Sequence, residues 1–128
     1  MVSSFNDSFS VVCLCAEWCG TCRAYRAAFA GLGARFPGAR FHWLDIEDQA
    51  DQLGDIDIEN FPTLLISRGT AILYFGVMLP HPEHLVRILD NFQAQDGRES
   101  LAYAHADPLR RAWQKDPDLQ NLLRYLAP

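Results

Sequence analysis

The chain has 128 residues, of which 49% are hydrophobic and 21% charged, so it can fold as one domain with a buried core and is not intrinsically disordered. Its net charge of −5, without any basic block, argues against a nucleic-acid surface. No apolar run reaches the roughly 18–20 residues of a membrane span, and the N-terminus lacks the pattern of a signal peptide. We therefore expect a cytoplasmic protein that contacts neither nucleic acid nor membrane. In that reducing compartment a cysteine pair favours catalysis or metal binding over a structural disulfide.

The first half of the chain alternates between strand and helix patterns after a short arm at residues 1–9. Residues 10–15 form an apolar run that is typical of a strand buried on both faces. Residues 21–36 place apolar side chains at helical spacing, and a Pro-Gly pair ends this helix. Residues 39–45 predict a second strand, with Phe41 and Trp43 on one face and His42 and Leu44 on the other. Residues 46–58 are acidic and irregular, with room for one short helix near 48–53.

The second half begins with a strand at residues 61–67 that is entered through a proline. Residues 68–70 predict a hairpin turn, and residues 71–75 predict a fourth strand that Gly76 stops. A helix opens at Pro82, with Leu85, Ile88, Leu89 and Phe92 as its buried stripe. Residues 93–98 can break it. This alternation of strands and helices predicts an α/β layer fold.

A tail of about thirty residues follows the breaker. Two Asp-Pro pairs, at 107–108 and 116–117, each combine an N-cap with a proline in the first helical turn and predict two short helices. We divide the chain into a domain over residues 1–96, including its N-terminal arm, and a helical extension over residues 97–128. The extension either packs on the domain or presents a surface to a partner, built on Trp113, Leu119, Leu122 and Leu126.

The segment that carries chemistry is Trp18-Cys19-Gly20-Thr21-Cys22, at the junction between the first strand and the first helix. A thiolate is the species that attacks a disulfide, and the N-terminus of a helix favours a thiolate. Cys19 is therefore the predicted nucleophile, and Cys22, one helical turn later, is the resolving thiol. Gly20 leaves room for a substrate chain, and Trp18 provides an apolar surface beside the nucleophile.

The segment from Ala16 to Cys22 resembles the active site of the thioredoxin family, and Phe61-Pro62-Thr63-Leu64 resembles the second signature of that family. The resemblance covers roughly residues 10–93. It implies a thioredoxin-like α/β fold, here with a reduced four-stranded mixed sheet flanked by helices and extra C-terminal helices. The sheet is expected to be reduced because too few residues precede the first strand to form the family's opening strand and helix. We expect its first three strands to be parallel and its fourth to be antiparallel.

The resemblance also implies an activity, that of a thiol-disulfide oxidoreductase which exchanges protein disulfides through the Cys19/Cys22 dithiol. Pro62 should follow a cis peptide bond and face the dithiol, and Phe61 should offer backbone hydrogen bonds to an extended substrate. Thr21 and Gly76 also fall at positions that contact substrate or tune the dithiol. The implied partners are protein disulfides and an unidentified reductase or a glutathione system. We expect no cofactor, no metal, and a monomer or a weak dimer through the extension.

Two departures from the family pattern concern proton transfer to the dithiol and the reduction potential of the dithiol. Cys13 stands where thioredoxins carry a buried carboxylate, and Trp43 stands where they carry a nearby lysine, so the usual proton path is absent. Thr21 replaces the proline that is usual between the two cysteines, which should make this protein less reducing.

Several alternatives stay open at this point. Cys13 and Cys15 share one face of a strand and are read first as small buried hydrophobes. They could instead join Cys19 and Cys22 in a four-thiolate metal site, or Cys15 could have an auxiliary redox role. The four histidines are interpreted as surface or capping residues. The alternative function is a thioredoxin-fold binding or co-chaperone module whose extension contacts a partner, with the dithiol regulatory or metal-binding.

Overall fold

The computed structural model of the chain describes residues 8–127, so most of the predicted arm at residues 1–9 lies outside the described residues. The described part contains four strands and six helices. In chain order they are β1 (Phe9–Cys15), α1 (Gly20–Arg35), β2 (Ala39–Asp45), α2 (Ala50–Leu53), β3 (Thr63–Arg68), β4 (Ala71–Val77), α3 (Pro82–Gln93), α4 (Gly97–Ala104), α5 (Pro108–Lys115) and α6 (Pro117–Leu126).

The four strands form one mixed sheet in the order β2-β1-β3-β4. The predicted four-stranded mixed sheet is confirmed, but the expectation that its first three strands are parallel is wrong. Strand β1 is parallel to β2 and antiparallel to β3, and β3 is antiparallel to β4. The reason lies in the connections. Helix α1 returns the chain to the other end of the sheet before β2, whereas the segment after β2 holds only the four-residue α2 and stays at one end, so β3 must run back.

Strand β1 supplies side chains to two separate cores, because its residues alternate between the faces of the sheet. Val11, Cys13 and Cys15 lie in the core beneath α1 and α3. Val12 and Leu14 lie in the second core, on the opposite face. All seven residues of β1 are buried, which agrees with the predicted doubly covered strand.

The C-terminal helices α5 and α6 cover the second face of the sheet. Leu119 and Leu122 of α6 are buried against Val12 and Leu14, and Trp113 of α5 packs at the edge of the same core. Both helices begin at the predicted Asp-Pro pairs, with the aspartate side chain accepting backbone N–H bonds in the first turn. The division at residue 96 remains a prediction.

Two further features of the chain differ from the sequence-based expectation. Strand β4 continues through Gly76 to Val77, so this glycine does not stop it. Helix α4 was not predicted. It starts at a capping box, in which the Asp96 side chain accepts the Glu99 N–H and the Glu99 side chain accepts the Asp96 N–H. This signal is present in the sequence, in a segment interpreted only as a helix breaker.

Within residues 8–127, no helix is both long enough and apolar enough to cross a bilayer.

Candidate functional site

Cys19 is the N-cap residue of α1, as predicted, and Cys22 lies in the first turn of that helix. The Cys19 N–H donates to the Ala16 carbonyl at 3.0 Å, and the Cys19 carbonyl accepts the Arg23 N–H at 3.1 Å. Cys19 is partly exposed, whereas Cys22 has 1% of its surface accessible. Cys19 is therefore open to solvent, whereas Cys22 is not.

The disulfide in this structure joins Cys22 to Cys15, and Cys19 is a free thiol. The Cα atoms of Cys15 and Cys22 are 5.8 Å apart, so the bond connects the end of β1 to the first turn of α1. Cys15 is buried, as predicted, but its interpretation as only a small hydrophobe is wrong. Sequence reasoning offered an auxiliary redox role for Cys15 only as an alternative and did not place it among the site residues. The signal that could have done so is its position at the last residue of the strand that leads directly into the CxxC segment.

Cys13 lies behind the disulfide and is fully buried. Its Sγ is 3.7 Å from the Sγ of Cys15, and because a disulfide sulfur carries no hydrogen, the Cys13 thiol is the donor of this contact. Burial raises the pKa of Cys13 to about 12, so this thiol stays protonated at neutral pH. Cys13 also pairs with Trp43 in the register of β1 and β2. The two residues that replace the family's carboxylate and lysine are thus neighbours.

The second signature lies beside the CxxC segment. The Phe61–Pro62 peptide bond is cis, as the resemblance implies. The ring of Trp18 meets the ring of Phe61 edge to face, with the centroids 5.5 Å apart, so the two motifs are in direct contact. The Pro62 carbonyl accepts the Met78 N–H at 3.1 Å, which fixes the chain after β4 against the cis-proline segment.

Several apolar side chains near this junction face solvent. Trp18 is 64% exposed, and Val77 and Leu79, on either side of Met78, are 52% and 64% exposed. Gly20 and Thr21 are also exposed, in the first turn of α1. Gly76 opposes Leu64 in the β3–β4 register and has a φ of +156°, a conformation that other residues rarely adopt. Of the residues predicted to contact substrate, Trp18 and Phe61 touch each other, and Gly76 lies two residues before Met78, whose N–H is bonded to the Pro62 carbonyl.

Asp45 holds the loop that precedes Cys19. Its carboxylate accepts the Glu17 N–H at 2.9 Å and the Glu47 and Asp48 N–H groups at 2.8 and 3.2 Å. Burial pushes the pKa of Asp45 upward, but these hydrogen bonds and the charge of Arg26 outweigh it. The pKa of Asp45 is therefore lower than its ordinary value.

A cavity of about 290 Å³ adjoins Cys22, whose sulfur is bonded to Cys15. Its lining includes the polar side chains of Arg23, Arg26 and Asp45. In the part of the chain that the structure describes, no group of three or more His, Cys, Asp or Glu side chains could hold a metal ion. Two of the four cysteines are already joined to each other.

Comparisons with known proteins agree with this arrangement of motifs. A family model described as Thioredoxin matches residues 2–80. A thioredoxin H-type from Oryza sativa subsp. indica is 34% identical over 56 residues, which are 44% of this chain and 46% of the relative. Thioredoxin-1 from Saccharomyces cerevisiae is 30% identical over 64 residues, which are 50% of this chain and 62% of the relative. The chain spans about half the length of the curated relatives it matches.

Solved structures add evidence on the fold. The crystal structure of thioredoxin from Trypanosoma brucei brucei is similar with a TM-score of 0.62 and 22% identity, covering 70% of this chain and 78% of that one. An X-ray structure of Fasciola hepatica thioredoxin gives a TM-score of 0.61 at 17% identity, covering 70% and 85%. At these identities the likeness concerns the fold alone.

The family model matches more than half of the chain, and the chain therefore belongs to the thioredoxin family.

Proposed function

We propose that this chain is a thiol-disulfide oxidoreductase that acts on protein disulfides, with Cys19 as the nucleophile and Cys22 as the resolving thiol. One observation carries the proposal: the partly exposed Cys19 caps α1 beside Trp18, whose ring contacts Phe61 directly before the cis proline. This arrangement presents a reactive sulfur next to an apolar surface on which a substrate chain can lie.

The reaction proceeds in two exchanges from the fully reduced site. The Cys19 thiolate attacks one sulfur of a substrate disulfide, and the other substrate sulfur leaves as a thiolate. Cys22 then attacks the Cys19 sulfur, which releases the second substrate thiol and leaves a Cys19–Cys22 disulfide. Two electrons pass from the protein to the substrate. Cys22 can act in this way only when its bond to Cys15 is open.

Substrate binding is assigned to Trp18, Gly20, Thr21, Phe61, Pro62 and Gly76. Trp18 and Phe61 offer apolar contact, and Gly20 and Gly76 leave the backbone accessible. The exposed Val77 and Leu79 extend the apolar surface. We expect the substrate to present an extended segment with apolar side chains on both sides of its disulfide-bonded cysteine. Such a segment can cover the exposed apolar side chains of the site while its disulfide contacts Cys19.

We propose a thiol system as the electron donor, because the disulfide that ends the proposed reaction is opened by thiol-disulfide exchange. A disulfide reductase or glutathione fits this requirement. We further propose a cytoplasmic location, where the reducing environment would keep the site in its dithiol form. The proposed roles are electron transport and cell redox homeostasis.

The proposed activity is tested by reduction of insulin with dithiothreitol as the donor. We expect the wild type to accelerate the reaction and Cys19→Ser to fall to the dithiothreitol background, because serine cannot form the mixed disulfide. Cys13→Ala is the matched control, since it also removes a thiol but leaves the exposed nucleophile in place. Insulin reduction by Cys19→Ser at the wild-type rate would contradict the assignment.

The second candidate is a binding module that uses its C-terminal extension. It is favoured by Leu101, Leu109 and Tyr125, which lie on α4, α5 and α6 and are each more than half exposed. A second copy of this chain is the partner that can be tested first. Sedimentation of the wild type should then depend on concentration, and Leu109→Asp should abolish that dependence. An unchanged monomer at all concentrations would remove the dimer from consideration.

A further inference from the structure

We propose that Cys15 is a third redox residue of this site, which replaces Cys19 as the disulfide partner of Cys22. The inference rests on the proposed oxidoreductase function and extends it. The protein would have two oxidised forms, an outer Cys19–Cys22 disulfide and an inner Cys15–Cys22 disulfide, and the structure holds the inner one.

Cys22 has two possible partners because of where it lies. From the first turn of α1 its side chain is close to the N-cap residue Cys19, three positions earlier, as neighbours on a helix surface are. On its other side it is bonded to Cys15 at the end of β1. The end of β1 and the first turn of α1 thus place the Cys22 sulfur at Cys15 and, by helical spacing, near Cys19.

The transfer is a thiol-disulfide exchange in which atoms and electrons balance. The Cys15 thiolate attacks the Cys22 sulfur of the outer disulfide, the Cys15–Cys22 bond forms, and the Cys19–Cys22 bond breaks. Cys19 leaves as a thiolate and takes up a proton from solvent, while the proton of Cys15 is lost. The protein as a whole is neither oxidised nor reduced, so no further reactant is needed.

The surroundings of Cys15 suit this exchange. The Cys13 thiol donates towards the Cys15 sulfur at 3.7 Å, and the same donor would stabilise a Cys15 thiolate before attack. Cys13 itself is a poor nucleophile, since burial raises its pKa to about 12. The exchange therefore involves three of the four cysteines, with Cys13 as a positioning residue.

The consequence for function is that access to the inner disulfide is controlled by Cys19. Cys15 and Cys22 each have 1% of their surface exposed, so a protein thiol cannot approach either sulfur directly. To be reduced again, the inner form must first let Cys19 attack Cys22, which restores the outer disulfide at the surface. The inner form also keeps Cys19 as a free thiol while the protein stores two oxidising equivalents.

The sequence allows the two disulfides to be separated by proteolysis. Glu17 lies between Cys15 and Cys19, and Arg23 directly follows Cys22. Cleavage after glutamate and arginine therefore leaves Cys13 and Cys15 on a peptide ending at Glu17. Cys19 and Cys22 remain on the peptide Trp18–Arg23. An inner disulfide links the two peptides, whereas an outer disulfide closes a loop within the second.

The experiment starts from the fully reduced full-length protein and adds an equimolar amount of oxidised insulin disulfides or of an aromatic disulfide. Samples are quenched with acid over time, free thiols are blocked with N-ethylmaleimide, and the digest is analysed without reduction. We expect the looped peptide to appear first. The linked pair should then exceed it by at least about tenfold at equilibrium. Fragmentation of the linked pair should assign the bond to Cys15 and Cys22.

Three variants make the result specific. Cys15→Ala should stop at the looped peptide. Cys13→Ala should still form the linked pair, but more slowly than the wild type, because it lacks the thiol that donates towards the Cys15 sulfur. An unchanged rate in Cys13→Ala would contradict the positioning role of Cys13. Cys19→Ser should form the linked pair at least about tenfold more slowly than the wild type, because its exposed entry point is gone. Circular dichroism of each variant identifies any that does not fold, and the wild-type time course stands without them.

The outcomes separate this inference from the proposed function. A looped peptide as the final product, in a wild type that reduces insulin, overturns the role of Cys15 and leaves the oxidoreductase function intact. Cys19→Ser forming the linked pair as fast as the wild type also overturns the Cys19-controlled route. A linked pair in a protein that does not reduce insulin supports the exchange and overturns only the proposed activity.

Discussion

Cys22 is the residue on which the proposed chemistry depends, because its sulfur is bonded to Cys15 in the structure and bonds to Cys19 in the proposed reaction. The CxxC spacing identified Cys19 and Cys22 from the sequence, and the cis Phe61–Pro62 bond agrees with the second motif. The pairing with Cys15 was not predictable in the same way. It depends on how closely the end of β1 approaches the first turn of α1. The spacing of residues within each element does not determine the distance between the two elements.

Asp45 carries a prediction about pH at the residue scale. Asp45→Asn should lower the free energy of unfolding at pH 7 by about 1 kcal/mol, less than a fully buried charged hydrogen bond gives because Asp45 is partly exposed. The pKa of Asp45 is lower in the folded state, so its stabilising effect is complete above the unfolded pKa of about 3.9. The effect is lost as the pH falls through the folded value.

Urea unfolding at a series of pH values measures this difference. The gap between the wild type and Asp45→Asn should be constant near neutral pH and should close as the medium becomes more acidic than about pH 4. Asp48→Asn, a change at a neighbouring exposed carboxylate, serves as the control and should leave the curve nearly unchanged. A gap that widens in acid would contradict the role given to Asp45.

At the scale of elements, the edge strand β4 depends on a side chain from the extension. The Gln114 amide of α5 donates to the Ile72 carbonyl at 2.7 Å and accepts the Ile72 N–H at 2.9 Å. This contact lies where the β3–β4 register shifts, between the pairs of Ile66 and Ser67. The glutamine therefore satisfies both backbone groups of a buried residue at a point where the ladder is irregular.

Gln114→Ala should accordingly lower the free energy of unfolding by about 1–3 kcal/mol, because it leaves a buried donor and acceptor without their partner. Gln120→Ala is the matched control. Its amide reaches only the Thr70 and Gln114 carbonyls, at 3.3 and 3.4 Å, so we expect a change of about 0.5 kcal/mol or less. Chemical denaturation compares the two variants, and equal losses would argue against the edge-strand role.

The elements that the sequence predicted well are those with strong local signals. The Asp-Pro pairs, the apolar run before the CxxC and the hairpin at residues 68–70 all mark elements that the structure contains. The direction of β3 was wrong because it depends on the path of an irregular connection, not on the residues of the strand. The Asp96–Glu99 capping box shows the opposite case, a local signal that outweighs the helix-breaking character of Asp-Gly.

For the molecule as a whole, the extension completes the second core, to which it contributes Leu119 and Leu122. Leu122 is fully buried against the sheet. Leu122→Ala should therefore lower the free energy of unfolding by about 3 kcal/mol, from lost apolar burial and the cavity left behind. Leu109→Ala, at a position that is 63% exposed, is the control and should change stability by about 0.5 kcal/mol or less. Similar losses in the two variants would contradict the packing of α6 on the sheet.

The alternation of side chains along β1 has a consequence for how a change of redox state spreads. The Cys15–Cys22 bond connects the strand to α1 on one face, while Val12 and Leu14 hold α6 on the other. Opening the bond releases a restraint on α1 alone. We expect amide hydrogens in the first turns of α1 to exchange faster with deuterium after reduction, while those of α5 and α6 keep their rates. The sheet would thereby confine the effect of reduction to the face that carries α1 and Cys19.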